Sequence, residues 1–303
     1  MGFNWNLDYI KSSKFFYSIS IIITVLGIIS LLVFRLNYGV DFRSGSNVDI
    51  AVSKQLSKPD IQSIIEDAGL GNKDTIITPG SKRSSVRFSD ILTEGEQTKL
   101  HDTVISKLGK DASLEINTVD TEIAKELERN AIIAVLLASL GIIIYVTIRF
   151  EWRFAISAVI ALLHDVFIVI SVFSILHLEV NLPFIIAILT IVGYSINDTV
   201  VIFDRIRENL RFTKIKSRAD IQKVINMSIS QTMTRSTYTV LTVFIASMAL
   251  LIFGSHSIRM FSLAMVIGLV CGAYSSVFIA SPLWYLLKGS NTNTGNKKKT
   301  GTA

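Results

Sequence analysis

Six long apolar runs dominate the chain, and each is close to the roughly 20 residues that an α-helix needs to cross a ~30 Å hydrocarbon core. They cover residues 15–34, 130–148, 154–176, 183–203, 236–253 and 260–287. Lys11 and Lys14 precede the first run, as in a secretory signal. That run is longer than an ordinary signal core and has no small-x-small cleavage site, so we expect a retained anchor. The pattern predicts an α-helical polytopic membrane protein with six transmembrane helices.

The segment 35–129, between the first two runs, has a different pattern. Alternating apolar and polar positions predict strands near residues 48–52, 75–78, 84–88 and 114–118. Helix starts are predicted at Ser57, with Pro59 and Asp60, and at Thr93, with Glu96 in a capping-box pattern. This strand–helix–strand–strand–helix–strand order predicts an α+β ferredoxin-like domain with both helices on one sheet face. We expect a binding or docking role, with a passive spacer as the alternative.

The composition also favours a membrane protein. Of the 303 residues, 50% are hydrophobic and 18% are charged, with a mean hydropathy of +0.50. Soluble domains carry about 25% charged residues. The single cysteine, Cys271, excludes an intramolecular disulfide and a cysteine-based zinc site. Because the sequence also shows no nucleotide-binding loop or metal-ligand cluster, we expect neither an enzyme nor a bound cofactor or metal.

The basic residues predict the orientation. The 30 Lys and Arg residues outnumber the 24 Asp and Glu residues, giving a formal net charge of +6. Two short loops on one side of the membrane, residues 177–182 and 254–259, contain a single basic residue, Arg259. By the positive-inside rule we expect both termini in the cytoplasm. The predicted cytoplasmic segments are 1–14, 204–235 and 288–303, and the domain at 35–129 is extracytoplasmic. The charge therefore requires no nucleic-acid partner.

Polar residues interrupt three of the apolar regions, where an ionisable side chain costs about 3 kcal/mol and by default marks a functional site. His164-Asp165 lies midway along the third run, Asn197-Asp198 lies near the cytoplasmic end of the fourth, and Arg235 directly precedes the fifth. Because the fourth and fifth helices run in opposite directions, we expect Asp198 and Arg235 at comparable depth.

Asp198 and Arg235 together suit proton coupling. Burial favours the neutral form of a carboxyl group, and a nearby guanidinium favours the charged form. If Arg235 approaches in one conformation and withdraws in another, Asp198 binds and releases a proton in each cycle. The alternatives are a static ion pair and an Arg235 that extends to the lipid headgroups. For His164 we weigh helix packing against a proton relay, and the sequence names no partner for Asp165.

Two further groups each have two interpretations. The charged residues after the fourth run form either a solvated helix end or an inter-helix network at the cytoplasmic mouth. A small-residue stripe in the sixth run, with a spacing of four, favours packing within the chain and leaves a subunit contact as the alternative. The charged group is Asp204, Arg205, Arg207 and Glu208, the stripe is Gly268, Gly272, Ser276 and Ala280, and Thr239 is one of the hydroxyl residues around Arg235.

Several motifs resemble one family. Val192-Gly193-Tyr194-Ser195-Ile196-Asn197-Asp198-Thr199 and Phe203-Asp204-Arg205-Ile206-Arg207-Glu208-Asn209 are similar to the fourth-helix signature of the SecD/SecF family of protein translocase subunits, and most closely to its SecF branch. Gly39-Val40-Asp41-Phe42, His164-Asp165 and Thr234-Arg235-Ser236-Thr237 match other motifs of that family. The sequence differs where the family has a glycine pair, because Ser44-Gly45 stands there.

The resemblance implies an accessory subunit of the bacterial Sec translocase in the cytoplasmic (inner) membrane, related to the resistance–nodulation–division transporters. It implies a SecD partner, which we expect on a separate chain, together with the SecYEG translocon and YajC. The implied activity is proton-motive-force-driven export of unfolded preproteins. In this picture Asp198 and Arg235 correspond to the family's proton pathway. We add Asn197 to that pathway, with His164, Asp165, Asp204, Arg205, Arg207 and Thr239 as supporting residues.

Two other function classes stay open at this point. Half of a proton-coupled small-molecule or lipid exporter of the same superfamily predicts a substrate cavity. A structural assembly factor predicts that neutral substitutions at Asp198 and Arg235 are tolerated, whereas disruption of the Gly268 and Gly272 stripe is not.

Overall fold

The computed structural model describes residues 8–52, 55–80, 83–109 and 112–289. Parts of the predicted terminal segments, residues 1–7 and 290–303, lie outside the described residues. The helices are α1 Tyr9–Val33, α2 Val40–Arg43, α3 Lys58–Asp67, α4 Glu94–Leu108, α5 Thr121–Arg149, α6 Trp152–Ile175, α7 Leu182–Phe212, α8 Arg218–Phe253, α9 His256–Ser275 and α10 Ser281–Gly289. The strands are β1 Asn37–Tyr38, β2 Gly45–Ala51, β3 Thr75–Thr78, β4 Arg83–Phe88, β5 Ser113–Val119 and β6 Glu179–Val180.

Six helical segments of the described chain are long and apolar enough to cross a membrane, with α9 and α10 counted as one. Each corresponds to one predicted apolar run, and the chain is a multi-pass membrane protein. Helix α1 begins six residues before the predicted run because the Asp8 carboxylate accepts a hydrogen bond from the Lys11 N–H at 3.2 Å. Helix α5 begins nine residues early because Asp120 caps it in the same way, from the Ile123 N–H at 2.8 Å.

The predicted cytoplasmic segment 204–235 is largely helical. Helix α7 continues to Phe212 and α8 begins at Arg218, so only residues 213–217 are non-helical. The helices extend beyond their apolar runs because Ile206, Ile221 and Ile225 are buried in one cluster. Ser217 then caps α8 through a capping box with Asp220. An amphipathic face, rather than a continuous apolar run, stabilises these helical turns.

The sixth run contains a change of helix type. A π-helical turn, Ser276–Ala280, joins α9 to α10. It ends two residues before Pro282, which has no N–H to donate and therefore interrupts the hydrogen-bond ladder. The Ser281 hydroxyl donates to the Ser276 carbonyl oxygen at 2.9 Å. The turn thus accommodates the proline without breaking the helix.

Residues 45–119 form a sheet domain with the element order β2-α3-β3-β4-α4-β5. The strand order across the sheet is β3-β4-β2-β5, and each pair of neighbours is antiparallel. Helices α3 and α4 share a core with one sheet face, at Val48, Ile50, Val86 and Phe88. The predicted capping box at Thr93 with Glu96 is present, and the predicted helix start at Ser57 is a capping box as well, with Asp60.

A short segment links the sheet domain to the membrane helices, at what we call the sheet end of the bundle. Strand β1 pairs with β6 in parallel, directly before α7. The Asp41 carboxylate accepts a hydrogen bond from the Leu182 N–H at the start of α7, at 2.8 Å. Arg87 of β4 donates to the Tyr38 carbonyl oxygen at 2.7 Å. These bonds fix the position of α7 relative to the sheet domain.

The turn at Ser44-Gly45 keeps a glycine-like geometry although its first residue is serine. Ser44 has φ +63° and Gly45 has φ +122°. A Cβ at Gly45 would overlap the Phe88 carbonyl oxygen. Ser44, with ψ 166°, occupies a region that L-residues other than glycine adopt only at a cost.

Candidate functional site

The small-residue stripe brings α9 against α7. A Cβ added at Gly268 would overlap the side chain of Ile191, and one added at Gly272 would lie 3.2 Å from the Ser195 Cβ. Such close approach of two helix backbones is what small residues four apart allow. The remaining stripe residues, Ser276 and Ala280, are buried as well. The stripe therefore packs within the chain, which was its main interpretation.

Asp198 lies on α7 where α8 and α9 meet it. It is 5% exposed. On the α8 side it lines a cavity of about 220 Å³ together with Ser236, Thr237 and mostly apolar side chains. On the α9 side it lines a second, much smaller cavity of about 10 Å³. Among the described residues no ion pair joins Asp198 to a basic side chain. Asp198 therefore borders two cavities without a paired cation.

Arg235 and Asn197 are not brought into direct contact with Asp198. Arg235, on α8, is exposed on the surface of the bundle next to Ser236, and its charge acts on Asp198 only at longer range. Asn197 is exposed on α7. Thr239 lines the smaller cavity and donates a hydrogen bond to the Arg235 carbonyl oxygen at 3.0 Å. The structure thus shows Asp198 and Arg235 as near neighbours without the static ion pair that was one alternative.

His164 and Asp165 lie in a buried polar cluster between α6, α7 and α9. Asp165 is fully buried. One of its oxygens lies 3.0 Å from His164 Nδ1, and the other accepts hydrogen bonds from the hydroxyls of Ser195 at 2.6 Å and Ser275 at 2.7 Å. The partners that the sequence left unnamed are therefore two serines on neighbouring helices, in addition to His164.

The opposite end of the bundle, which we call the far end, carries charged contacts between three helices. Arg149 of α5 donates to Asp204 of α7 at 3.0 Å, and Arg207 lies 3.1 Å from the same carboxylate. Arg205 donates to Gln231 of α8 at 2.6 Å. These residues form an inter-helix network rather than a separate solvated helix end. Because the Arg149–Asp204 pair is 40% and 37% exposed, it contributes at most about 1 kcal/mol.

Sequence reasoning missed Ser195, Ser275 and Tyr274 as parts of the site. Ser195 precedes Asp198 by one helical turn, and Ser275 interrupts the apolar sixth run. Hydroxyl side chains in membrane helices often bond to their own backbone, so their type alone does not show which ones reach another helix. The signal available in the sequence was the position of Ser195 on the same helix face as Asp198.

Two family models match the chain. The model described as protein export membrane protein SecD/SecF, C-terminal, matches residues 100–290. The SecD/SecF GG motif matches residues 29–55, which include the β1 strand and the Ser44-Gly45 turn. The chain belongs to the SecD/SecF family. The family suggested by the sequence motifs is thus confirmed, and the serine in the glycine pair does not alter the assignment.

Individual members of the SecD/SecF family are similar over most of the chain. The protein translocase subunit SecDF of Bacillus subtilis (strain 168) is 45% identical over 93% of this chain and 38% of its own length. The protein translocase subunit SecF of Alicyclobacillus acidocaldarius is 44% identical over 91% of each protein. The chain therefore spans about two fifths of the SecDF relative and most of the SecF relative.

Solved structures of the SecD/SecF family show the same fold. The crystal structure of SecDF from Thermus thermophilus, a translocon-associated membrane protein, has a TM-score of 0.82 and 32% identity, over 95% of this chain and 40% of that one. A crystal structure of SecDF in its super-membrane-facing form has a TM-score of 0.68 and 28% identity, over 98% and 41% of the two chains. The relatives are translocase subunits, which is a transport role rather than catalysis.

Proposed function

We propose that this chain is an accessory subunit of the bacterial Sec protein translocase. Together with SecD on a separate chain, it uses the proton motive force to promote preprotein export across the cytoplasmic membrane. The observation that carries the proposal is Asp198, a buried carboxyl group that faces two cavities between α7, α8 and α9. Similarity to SecF and SecDF translocase subunits supports the substrate class and the pairing with SecD.

The energies of the two coupled steps are comparable. A charged aspartate deep in a membrane helix costs about 3 kcal/mol on insertion scales. Moving one charge across the membrane is worth about 2.3 kcal/mol per 100 mV. A proton that binds Asp198 from one side and leaves to the other therefore supplies enough free energy to shift a conformational equilibrium. In this mechanism Arg235 moves toward Asp198 when the proton leaves, so that the carboxylate is never buried alone.

The proposal includes an orientation. Both termini and the far end of the bundle face the cytoplasm, and the sheet domain lies outside the cytoplasmic membrane. Basic residues lie at the start of α1, around the junction of α5 and α6, and between α7 and α8, and they support this assignment. They are Lys11, Lys14, Arg149, Arg153, Lys214 and Lys216. The SecYEG translocon and YajC are the further partners, as the family resemblance implies.

We also propose that the sheet domain is a ferredoxin-like module that binds the exported chain. The antiparallel strand order β3-β4-β2-β5 and the two helices on one sheet face support the fold. The hydrogen bonds from Arg87 to Tyr38 and from the Leu182 N–H to Asp41 join this domain to the start of α7. A movement of α7 around Asp198 would therefore be transmitted to the domain.

The test is an Asp198→Asn variant co-expressed with its SecD partner. Asparagine keeps the size and most of the polarity but binds no proton, so proton-driven export into inverted membrane vesicles should fall to the level without a proton gradient. Glu126→Gln on α5, an exposed residue outside the sheet domain, removes one carboxylate charge away from the site and should export normally. Full gradient-dependent export by a normally inserted Asp198→Asn variant contradicts the proposal.

The alternative function, half of a proton-coupled small-molecule or lipid exporter, has one observation in its favour. A mostly apolar cavity of about 290 Å³ lies between α5, α6 and α7 near β1, with Glu128 at its lining. If this function is correct, loss of the chain increases sensitivity to apolar drugs or changes lipid composition. Preprotein export is then unaffected.

A further inference from the structure

We propose that Asp165 and His164 form a second proton-binding pair, which exchanges protons with Asp198 through the Ser195 hydroxyl. The inference rests on the proposed function, since it extends the proton pathway that begins at Asp198. It follows from the hydrogen-bond geometry of the cluster between α1, α6, α7 and α9.

The first step is the charge on Asp165. The residue is fully buried, and in the described chain no lysine or arginine pairs with it. It receives three potential donors, namely His164 Nδ1 and the hydroxyls of Ser195 and Ser275. Three donors are enough to hold a buried carboxylate. With His164 protonated, Asp165 and His164 form a neutral ion pair, and the cluster then carries one more proton.

The other ionisable groups around this pair come from the elements that pack against α6. Helix α7 contributes Asp198, α9 contributes Cys271 and Tyr274, and α1 contributes Tyr17, one turn from Ser20. Helix α9 thus supplies only thiol and phenol groups, and α1 a second phenol. Within the described residues, therefore, His164, Asp165 and Asp198 are the imidazole and carboxyl groups of this region.

The second step is that the cluster can hold this extra proton without losing a hydrogen bond. The Tyr274 hydroxyl lies 3.1 Å from His164 Nε2, and it lies 3.3 Å from the Ser20 hydroxyl of α1. With neutral His164, Nδ1–H donates to Asp165, and Tyr274 donates to Nε2 while Ser20 donates to Tyr274. When Nε2 gains a proton, it donates to Tyr274, and Tyr274 turns to donate to Ser20. Both arrangements keep the hydrogen bonds between His164 and Tyr274 and between Tyr274 and Ser20.

The third step is the connection to Asp198. Ser195 precedes Asp198 by one turn on α7, and both line the cavity of about 10 Å³. Its volume is close to that needed by one water molecule, and it has polar lining groups to hold one. The Asp198 proton passes to this water, the water passes a proton to the Ser195 oxygen, and Ser195 gives its own proton to Asp165. Asp198 becomes a carboxylate, and Asp165 becomes a carboxylic acid beside a neutral His164. This form of the pair carries as many protons as the ion pair of protonated His164 and ionised Asp165, so the proton count balances.

Four variants of the full chain, assembled with its SecD partner, test the relay. Asp165→Asn removes the second acceptor, and Ser195→Ala and Tyr274→Phe each remove one hydroxyl while keeping the packing. Ser171→Ala and Tyr17→Phe are the matched controls. In the part of the chain that the structure describes, the hydroxyls of Ser171 and Tyr17 donate to backbone carbonyl oxygens, those of Phe167 and Ile279. The fourth variant is Asp198→Asn. The readouts are proton uptake by inverted vesicles, followed with a pH-sensitive dye, and the pH profile of export.

We expect Ser195→Ala and Asp165→Asn to slow proton uptake about tenfold or more, since each removes a charge-assisted hydrogen bond of the path. Tyr274→Phe should shift the pH profile, and both controls should behave as the unaltered chain. If Asp198→Asn abolishes coupling but Ser195→Ala and Asp165→Asn keep normal uptake, the relay is wrong and the proposed function stands. If Asp198→Asn itself couples normally, the proposed function fails.

Two outcomes need a second measurement. If the Asp165→Asn chain does not insert, Ser195→Ala decides the question, because it removes one hydroxyl and keeps the Asp165 carboxylate. Ser195→Ala can also reduce export while proton uptake per exported chain and the pH profile stay unaltered. In that case Ser195 has only a packing role, and the relay is wrong.

Discussion

Replacing Gly268 by alanine adds a methyl group at the contact between α9 and α7. The new Cβ overlaps the Ile191 side chain, which is 1% exposed and has little room to move. Overpacking of this kind costs about 1–3 kcal/mol. A glycine-to-alanine change within a helix gains about 1 kcal/mol. We therefore expect a net loss of about 1 kcal/mol in the free energy of unfolding, which lowers the melting temperature by about 2–4 °C.

The chain contains its own reporter for this measurement. Cys271 is the single cysteine, lies on α9 three residues from Gly268 and is 6% exposed. A fluorogenic maleimide added during a thermal ramp in detergent reacts with this thiol when the contact between α7 and α9 opens. Gly141→Ala is the matched control, because no atom lies within 4 Å of its added Cβ. It should raise the melting temperature slightly or leave it unaltered.

A second change separates overpacking from other effects. Ile191→Val alone costs about 0.5–1.5 kcal/mol, because it removes one buried methylene. Combined with Gly268→Ala, it makes room for the new methyl group. The double variant should therefore lose less free energy of unfolding than the sum of the losses in the two single variants. Gly268→Ala melting at or above the temperature of the unaltered chain, together with additive losses in the double variant, would refute the close packing inferred here.

Three other outcomes are expected. Ser44→Gly removes a backbone strain of about 1–3 kcal/mol from the folded state. The opposing effect, a more favourable entropy of the unfolded chain, is only about 0.4–1 kcal/mol. Circular dichroism should therefore show a higher melting temperature. The hydrogen bond from the Thr93 N–H lowers the pKa of Glu96 from 4.5 to about 2. Its stabilisation of the sheet domain is therefore complete above about pH 4.5. That stabilisation is lost as the pH falls toward 2, and an acid titration of Glu96→Gln should lack this component. Arg87→Ala, which loses the bond to the Tyr38 carbonyl oxygen, should speed hydrogen exchange near β1, whereas an unaltered rate contradicts the proposed link between the domain and α7.

The elements of the fold were predictable where the cause is local. Continuous apolar runs gave the six membrane helices, and the capping boxes at Ser57 and Thr93 gave the starts of α3 and α4. The helical turns within the predicted cytoplasmic segment 204–235 were not predictable, because they depend on Ile206 and Ile221, which are buried where α7 and α8 meet. Such a face is too short to show as an apolar run.

The candidate site divides in the same way. Asp198 was identifiable from the sequence alone, because a carboxyl group within an apolar run is costly wherever the helix lies. The partners of Asp165 were not identifiable, since Ser195 and Ser275 reach it from two other helices.

By itself, the sequence determined how many helices enter the membrane, how the sheet domain is divided into strands and helices, and which acidic residues lie within the apolar runs. These properties depend on hydrophobicity and on short-range hydrogen bonds. Only the tertiary structure decided that Arg235 stays apart from Asp198 and that Ser195, which donates to Asp165, lines the same small cavity as Asp198. Those relations depend on the rotation and depth of each helix, which are set by the packing of small residues such as Gly268 and Gly272 against α7.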